Sequence, residues 1–99
     1  MITIEDIKKF SKPHPTGDGG RMTNIFNNKY ELSIVGGRKG LYGDFDKTFE
    51  VAIFDTKDRN FVTRYFFPEL DDDVIGYMKA EKLEELVNSI FRNNGFQVR

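Results

Sequence analysis

The chain has 99 residues, the size of one compact domain, so we expect a single domain over residues 1–99. It contains no cysteine, which excludes disulfide bonds and thiolate zinc sites. The formal net charge of -1 argues against both a strongly basic nucleic-acid binder and a strongly acidic DNA mimic. With an acidic N-terminal segment and no long apolar run, we expect a cytoplasmic protein.

The N-terminal segment predicts a short helix followed by a loop. Thr3 is a typical N-cap residue, and Asp6 lies in the first turn, where negative charge is favourable. Pro13 and Pro15 cannot continue the helix. The glycine-rich stretch that follows predicts a flexible loop over residues 13–28.

Period-two alternation of apolar and polar residues predicts three antiparallel strands in the middle of the chain. They cover residues 29–35, 49–54 and 61–67, and turn-forming residues at 55–60 join the last two into a hairpin. Large apolar groups such as Phe54 occur on both faces of these strands. We therefore expect a second layer over the other face, for which the N-terminal helix is the obvious candidate.

The C-terminal third predicts a short fourth strand at residues 74–78 and then an amphipathic helix over residues 80–94. Five apolar residues in this helix recur at helical spacing and form one stripe: Leu83, Leu86, Val87, Ile90 and Phe91. The predicted fold is therefore α+β. It has a three- to four-stranded antiparallel sheet packed on a C-terminal amphipathic helix, with a short N-terminal helix.

A long glycine-rich connection at residues 36–44 joins the first two predicted strands. Glycines let backbone amides approach an anion, and Arg38 and Lys39 add positive charge, so a phosphate contact is one interpretation. A flexible hairpin loop is the simpler interpretation. Tyr42 of this loop is a further candidate contact residue, because long loops often carry function.

Basic and aromatic residues also occur together in and before the third predicted strand, at Arg59, Arg64 and Tyr65. This mixture is typical of single-stranded nucleic-acid platforms and of protein interfaces, and core packing is the plain alternative for the aromatic rings. The candidate binding set is Arg38, Lys39, Tyr42, Arg59, Arg64 and Tyr65.

The sequence contains no recognisable catalytic constellation, so we expect no enzyme, cofactor or metal ion. His14 is the only histidine, and it lies between two prolines in the predicted loop, a poor place for a general base. The carboxylates of Asp44, Asp46 and the run at residues 71–73 match no EF-hand spacing. Turn residues are the simpler interpretation, and whether the run at 71–73 binds a cation stays open.

Four stretches of the chain resemble small proteins of unknown function encoded by tailed bacteriophages, including marine ones. These stretches lie at residues 30–35, 41–44, 49–53 and 72–77. The resemblance implies neither an activity nor any functional residue. It does imply a setting in the host-cell cytoplasm and an accessory or host-modulating role.

Two functional hypotheses follow. The first is a non-enzymatic module that binds a host or phage protein through a sheet edge or through the loop at residues 36–44. The alternative is a nucleic-acid-binding protein that uses a basic-aromatic sheet face and the glycine-rich loop, with an affinity that falls as salt rises. No membrane partner is expected, and an edge strand could also pair with a second copy of the chain.

Overall fold

The computed structural model describes residues 1–93 and 95–99 and has an α+β fold. In chain order the elements are α1 (Ile4–Lys9), β1 (Lys12–Pro13), β2 (Arg21–Phe26), β3 (Tyr30–Gly36), β4 (Thr48–Asp55), α2 (Thr63–Phe66), β5 (Ile75–Lys79), α3 (Ala80–Phe91) and β6 (Gln97–Val98). The strands form one antiparallel sheet in the order β1-β2-β3-β4-β5, and β6 pairs with β2. The predicted fold class is confirmed, but the sheet has six strands. Among the described residues, no helix is both long enough and apolar enough to cross a bilayer.

The hydrophobic core lies between α3 and one face of the sheet, which we call the inner face. The predicted apolar stripe of α3 is buried there against strand residues such as Leu32 and Val51. Each such side chain contributes about 1.5–3 kcal/mol relative to an exposed position. The helix ends at Phe91, whereas the sequence predicts it as far as Asn94, which lies outside the described residues.

Helix α1 also packs on the inner face, which contradicts the prediction that it covers the other one. Ile7 of α1 is fully buried in the core, and its carbonyl accepts a 2.8 Å hydrogen bond from the hydroxyl of Thr23. Thr23 is paired with Ile34, an inner-face residue of β3. The predicted N-cap is confirmed, since the hydroxyl of Thr3 accepts the N–H of Asp6 and the carboxylate of Asp6 accepts the N–H of Thr3.

The predicted strand at residues 61–67 is wrong, because Thr63–Phe66 forms the one-turn helix α2. The buried hydroxyl of Thr63 accepts the N–H of Ile53 at 2.9 Å, and the carbonyl of Ile53 accepts the N–H of Val62 at 2.8 Å. These two contacts satisfy the edge of β4 at this point without a full strand. The ring of Phe66 then packs against Tyr30 on the inner face, with centroids 5.1 Å apart.

The predicted loop over residues 13–28 is wrong for its second half, where Arg21–Phe26 forms β2. This strand pairs with β3 along its whole length. The hairpin between them is closed by Asn27, whose side-chain oxygen accepts the N–H groups of Lys29 and Tyr30 at 2.9 Å. Tertiary pairing therefore makes a strand of a segment whose polar residues suggest a loop.

We predict that Asn88→Ala lowers the free energy of unfolding by about 1–3 kcal/mol, the cost of leaving buried polar groups unpaired. The side chain of Asn88 is buried on α3, where it accepts the N–H of Ile2 and donates to its carbonyl, both at 2.8 Å. Urea unfolding followed by circular dichroism measures the change. The control is Ser89→Ala at the exposed neighbouring position, for which about 0.5 kcal/mol or less is expected. Equal losses in the two variants would contradict the role given to Asn88.

Candidate functional site

The face of the sheet opposite the helices, here called the outer face, consists of three rows of paired side chains across β2, β3 and β4. The first row is Phe26, Glu31 and Phe54, the second is Asn24, Ser33 and Ala52, and the third is Met22, Val35 and Glu50. The first and third rows are four residues apart on β3, a separation of about 13 Å. A distinct group of side chains lies at each end.

The first group is built around Glu31, a buried carboxylate that is 1 % exposed. It binds Arg99 through two nitrogens, Nε and Nη2, each at 3.0 Å, and Arg59 through Nη1 at 2.8 Å. The amide of Asn24 donates a further hydrogen bond at 3.0 Å. We call these four residues the Glu31 cluster. It connects the central strand to the residue after β6 and to the turn after β4.

The two phenylalanines of the first row support the guanidinium groups of this cluster. Arg99 lies over the ring of Phe26 at 4.2 Å, and Arg59 lies 5.6 Å from the ring centroid of Phe54. Phe61 packs on Phe54 with a centroid distance of 4.5 Å. The apolar surface of Phe54, which predicted a second layer, is thus covered by an arginine and another ring.

The pKa of Glu31 lies below its ordinary value. Burial alone would raise this pKa, but hydrogen bonds from Arg99, then Arg59 and Asn24, favour the charged form and outweigh it. A carboxylate with a lowered folded-state pKa contributes stability above its unfolded-state pKa, and that contribution is lost as the pH falls through the folded-state value.

We therefore predict that the free energy of unfolding decreases as the pH is lowered from 6 to 3, and that Glu31→Gln flattens part of this decrease. The amide of glutamine does not titrate. The variant therefore lacks the stability that Glu31 contributes at neutral pH, and it has none of this contribution to lose at low pH. Urea unfolding at a series of pH values, at constant salt, measures both curves. Parallel curves for the two proteins would contradict the assignment.

The second group is a pair of exposed tyrosines at the third row. Tyr42 and Tyr77 are 51 % and 64 % exposed, and their ring centroids are 6.0 Å apart. The N–H of Tyr42 donates to the outer-face carboxylate of Glu50 at 3.0 Å, and its carbonyl accepts the N–H of Tyr77 at 2.8 Å. This tyrosine pair joins the glycine-rich loop to β5, the terminal strand of the sheet order.

A bulge in β5 places Tyr77 at this position. The register between β4 and β5 shifts between Phe49 and Val51, and Tyr77 has a left-handed backbone with φ of 56°. This conformation costs an L-residue about 1–2 kcal/mol. Gly76 is required beside it, because a Cβ there would lie 2.9 Å from the Cβ of Tyr42. Strain of this kind is concentrated at functional sites.

The glycine-rich loop uses many of its amides internally. The carboxylate of Asp44 accepts the N–H groups of Thr48, Asp46 and Lys47 at 2.9–3.0 Å, and these bonds hold its pKa well below its usual range. The carbonyl of Gly43 likewise accepts the N–H of Gly37 at 3.0 Å. The carboxylate of Asp44 therefore organises the turn at residues 44–48. Four N–H groups of the loop itself also have acceptors within the chain, so these amides are not directed at an open anion site; they belong to Gly37, Leu41, Tyr42 and Asp44.

The predicted binding residues lie in three separate places. Arg38 and Lys39 lie in the loop with Tyr42, Arg59 belongs to the Glu31 cluster at the other end of the sheet, and α2 carries Arg64 and Tyr65. Each arginine of the set has a carboxylate partner. These pairs are Arg38 with Asp18 at 3.9 Å, Arg59 with Glu31 at 2.8 Å and Arg64 with Asp73 at 3.5 Å. The geometry does not favour one continuous basic surface.

In the acidic run at residues 71–73, which the sequence left open as a cation site, the carboxylate of Asp73 forms an ion pair with Arg64. Within residues 1–93 and 95–99, no group of three or more side chains is arranged to hold a metal ion.

Three residues of the outer face are missing from the sequence-based set: Glu31, Arg99 and Tyr77. A glycine inside a predicted strand often marks a bulge, so Gly76 is a signal that could have indicated Tyr77. No local signal marks Glu31, because it occupies a polar position of an alternating strand. Its burial depends on two arginines that are 28 and 68 residues away in the sequence.

Comparison with protein-family models, curated proteins and solved structures gave no match for this chain.

We predict that Tyr77→Gly is more stable than Tyr77→Ala by about 1 kcal/mol, because glycine adopts a positive φ without the penalty of a Cβ. Both variants lose the tyrosine ring, so their difference isolates the backbone strain. At Tyr42, whose φ is not positive, the order is expected to reverse, with Ala more stable than Gly. Urea unfolding of the four variants measures this. The same order at both positions would contradict strain at Tyr77.

Proposed function

We propose that the chain is a non-enzymatic protein-binding module that docks a partner protein on its outer face beside β5. The observation that carries this proposal is the tyrosine pair, two exposed rings in contact, one of them held in a left-handed backbone conformation. Tyrosine supplies large apolar area with a polar tip, and it is enriched among residues that dominate binding energy. A host-modulating accessory role, as the resemblance implies, is the setting in which we propose that the module acts.

A protein partner suits the tyrosine pair better than a nucleic acid does. The carboxylate of Glu50 lies against the backbone of Tyr42, so a phosphate chain passing over the pair would meet a negative charge. The nearby Arg38 is paired with Asp18. A nucleic-acid surface needs uncompensated cations that follow the phosphate chain. The carboxylate of Glu50 and the ion pair of Arg38 with Asp18 both disfavour such a row beside the pair.

Side-chain docking is proposed here, and not the addition of a partner strand to β5. This strand has only five residues, contains the bulge at Tyr77 and ends in the exposed Lys79. Short length, bulges and lysine are the features by which edge strands avoid pairing with other chains. The same features disfavour pairing between two copies of the chain along β5.

The test compares affinity capture by four forms of the chain from a lysate of its natural host. We predict that the wild type and Tyr65→Ala retain the same partner, and that Tyr42→Ala and Tyr77→Gly each lose it. Anchoring tyrosines contribute about 2 kcal/mol, which corresponds to a roughly 30-fold loss of affinity. Tyr65 is the matched control because it is 81 % exposed but lies on α2, where its ring packs against Phe66.

The captured protein is then purified, and its affinity is measured by calorimetry with each variant. Equal affinity of all forms, or a loss caused only by Tyr65→Ala, would overturn the proposal. Light scattering of the chain alone covers a second copy as the occupant. If the wild-type chain is a dimer and both Tyr42→Ala and Tyr77→Gly are monomers, the tyrosine pair binds a second copy of the chain and the proposal of a foreign partner is overturned.

A further inference from the structure

In the Glu31 cluster, two guanidinium groups share a single carboxylate. Glu31 is one negative charge, and Arg59 and Arg99 are two positive ones. In the described chain, no other carboxylate side chain forms an ion pair with either guanidinium within 4.0 Å. The carboxylates of the adjacent turn accept backbone N–H groups, Asp55 from Lys57 and Asp58 from Asn60.

Both guanidinium groups present unused donors to solvent. Their side chains are about half exposed, 55 % for Arg59 and 46 % for Arg99. Arg99 uses Nε and Nη2 on Glu31, which leaves its Nη1, and Arg59 uses Nη1, which leaves its Nε and Nη2. These three nitrogens have no hydrogen-bond acceptor among residues 1–93 and 95–99.

The two groups are also held in place before any ligand arrives. Both donate to the same oxygen, Oε1 of Glu31, at 2.8 and 3.0 Å, so they lie side by side. The ring of Phe26 lies under Arg99, and Arg59 lies 5.6 Å from the ring centroid of Phe54. Side chains that are fixed in advance lose less entropy on binding.

We propose that the outward nitrogens of Arg59 and Arg99 form a subsite for one phosphate group. Guanidinium donors match the oxygens of phosphate and carboxylate alike. The three free nitrogens match the three or more oxygens of a phosphate better than the two oxygens of a carboxylate. In this arrangement Glu31 is a positioning residue that holds both arginines toward solvent. The site is about 13 Å from the tyrosine pair along β3, so it does not depend on the protein-binding proposal.

The test is a titration of the wild-type chain with sodium phosphate at pH 7, with ionic strength held constant by sodium chloride. The arginine Nε–H signals are followed by ¹⁵N-edited NMR. We expect the signals of Arg59 and Arg99 to shift together and to saturate at millimolar phosphate. The signal of Arg64, which is 57 % exposed and paired with Asp73, serves as the internal control and is expected not to shift.

Variants separate the subsite from general charge attraction. Arg59→Gln is expected to weaken phosphate binding at least fivefold, and Arg64→Gln, which removes the same charge elsewhere, is expected to leave it unchanged. Arg59→Lys keeps the charge but loses the forked donors, so it is expected to bind more weakly than the wild type. It also serves as the second variant where Arg59→Gln disturbs the amide spectrum.

Two further titrations use phosphoserine, a phosphate monoester, and dimethyl phosphate, a diester. The compound that binds more tightly identifies which kind of phosphate group the subsite takes. Acetate is expected to bind more weakly than either. Equal shifts at Arg64, no saturation with any phosphate compound, or unchanged affinity in both Arg59 variants would overturn the proposal.

Discussion

The sheet has helices on only one face, and the buried ion pair between Glu31 and Arg99 helps to cover the other face. Taking a carboxylate out of water costs several kcal/mol, so Glu31 stays charged at 1 % exposure only because Arg99 binds it through two nitrogens and Arg59 through a third. The same two arginines lie over Phe26 and Phe54. One cluster therefore covers the two phenylalanines of the outer face and anchors the residue after a strand of only two residues, Gln97–Val98.

The two faces of the sheet are stabilised by different physics. On the inner face, α1 and α3 bury aliphatic and aromatic side chains, and the hydrophobic effect acts without direction. On the outer face, directed contacts replace a second layer, and they leave polar and aromatic atoms in reach of solvent. Because the helices lie on one side, guanidinium groups and aromatic rings cover the outer face in place of a second layer, and both proposed binding surfaces lie there.

The sequence predicts those parts of the fold whose pattern is local. The helical stripe from Leu83 to Phe91 and the alternation of β3 and β4 can be read directly, because each repeats at the period of its element. The errors at β2 and α2 have a shared cause in tertiary hydrogen bonds. In the segment predicted as a loop, the hydroxyl of Thr23 donates to the carbonyl of Ile7. In the segment predicted as a third strand, the hydroxyl of Thr63 accepts the N–H of Ile53. No local period reports such contacts.

Backbone strain distinguishes the tyrosine pair from the rest of the surface. Among the described residues, the non-glycine positions with positive φ are Asp18, Phe45, Arg59 and Tyr77. Aspartate tolerates this conformation, Phe45 is buried against Phe49, and Arg59 reaches Glu31, so each of these three has a local compensation. Tyr77 is 64 % exposed, and its ring contacts another exposed ring. The packing of the folded chain does not offset the backbone cost at Tyr77, and this supports the proposal that its ring binds a partner.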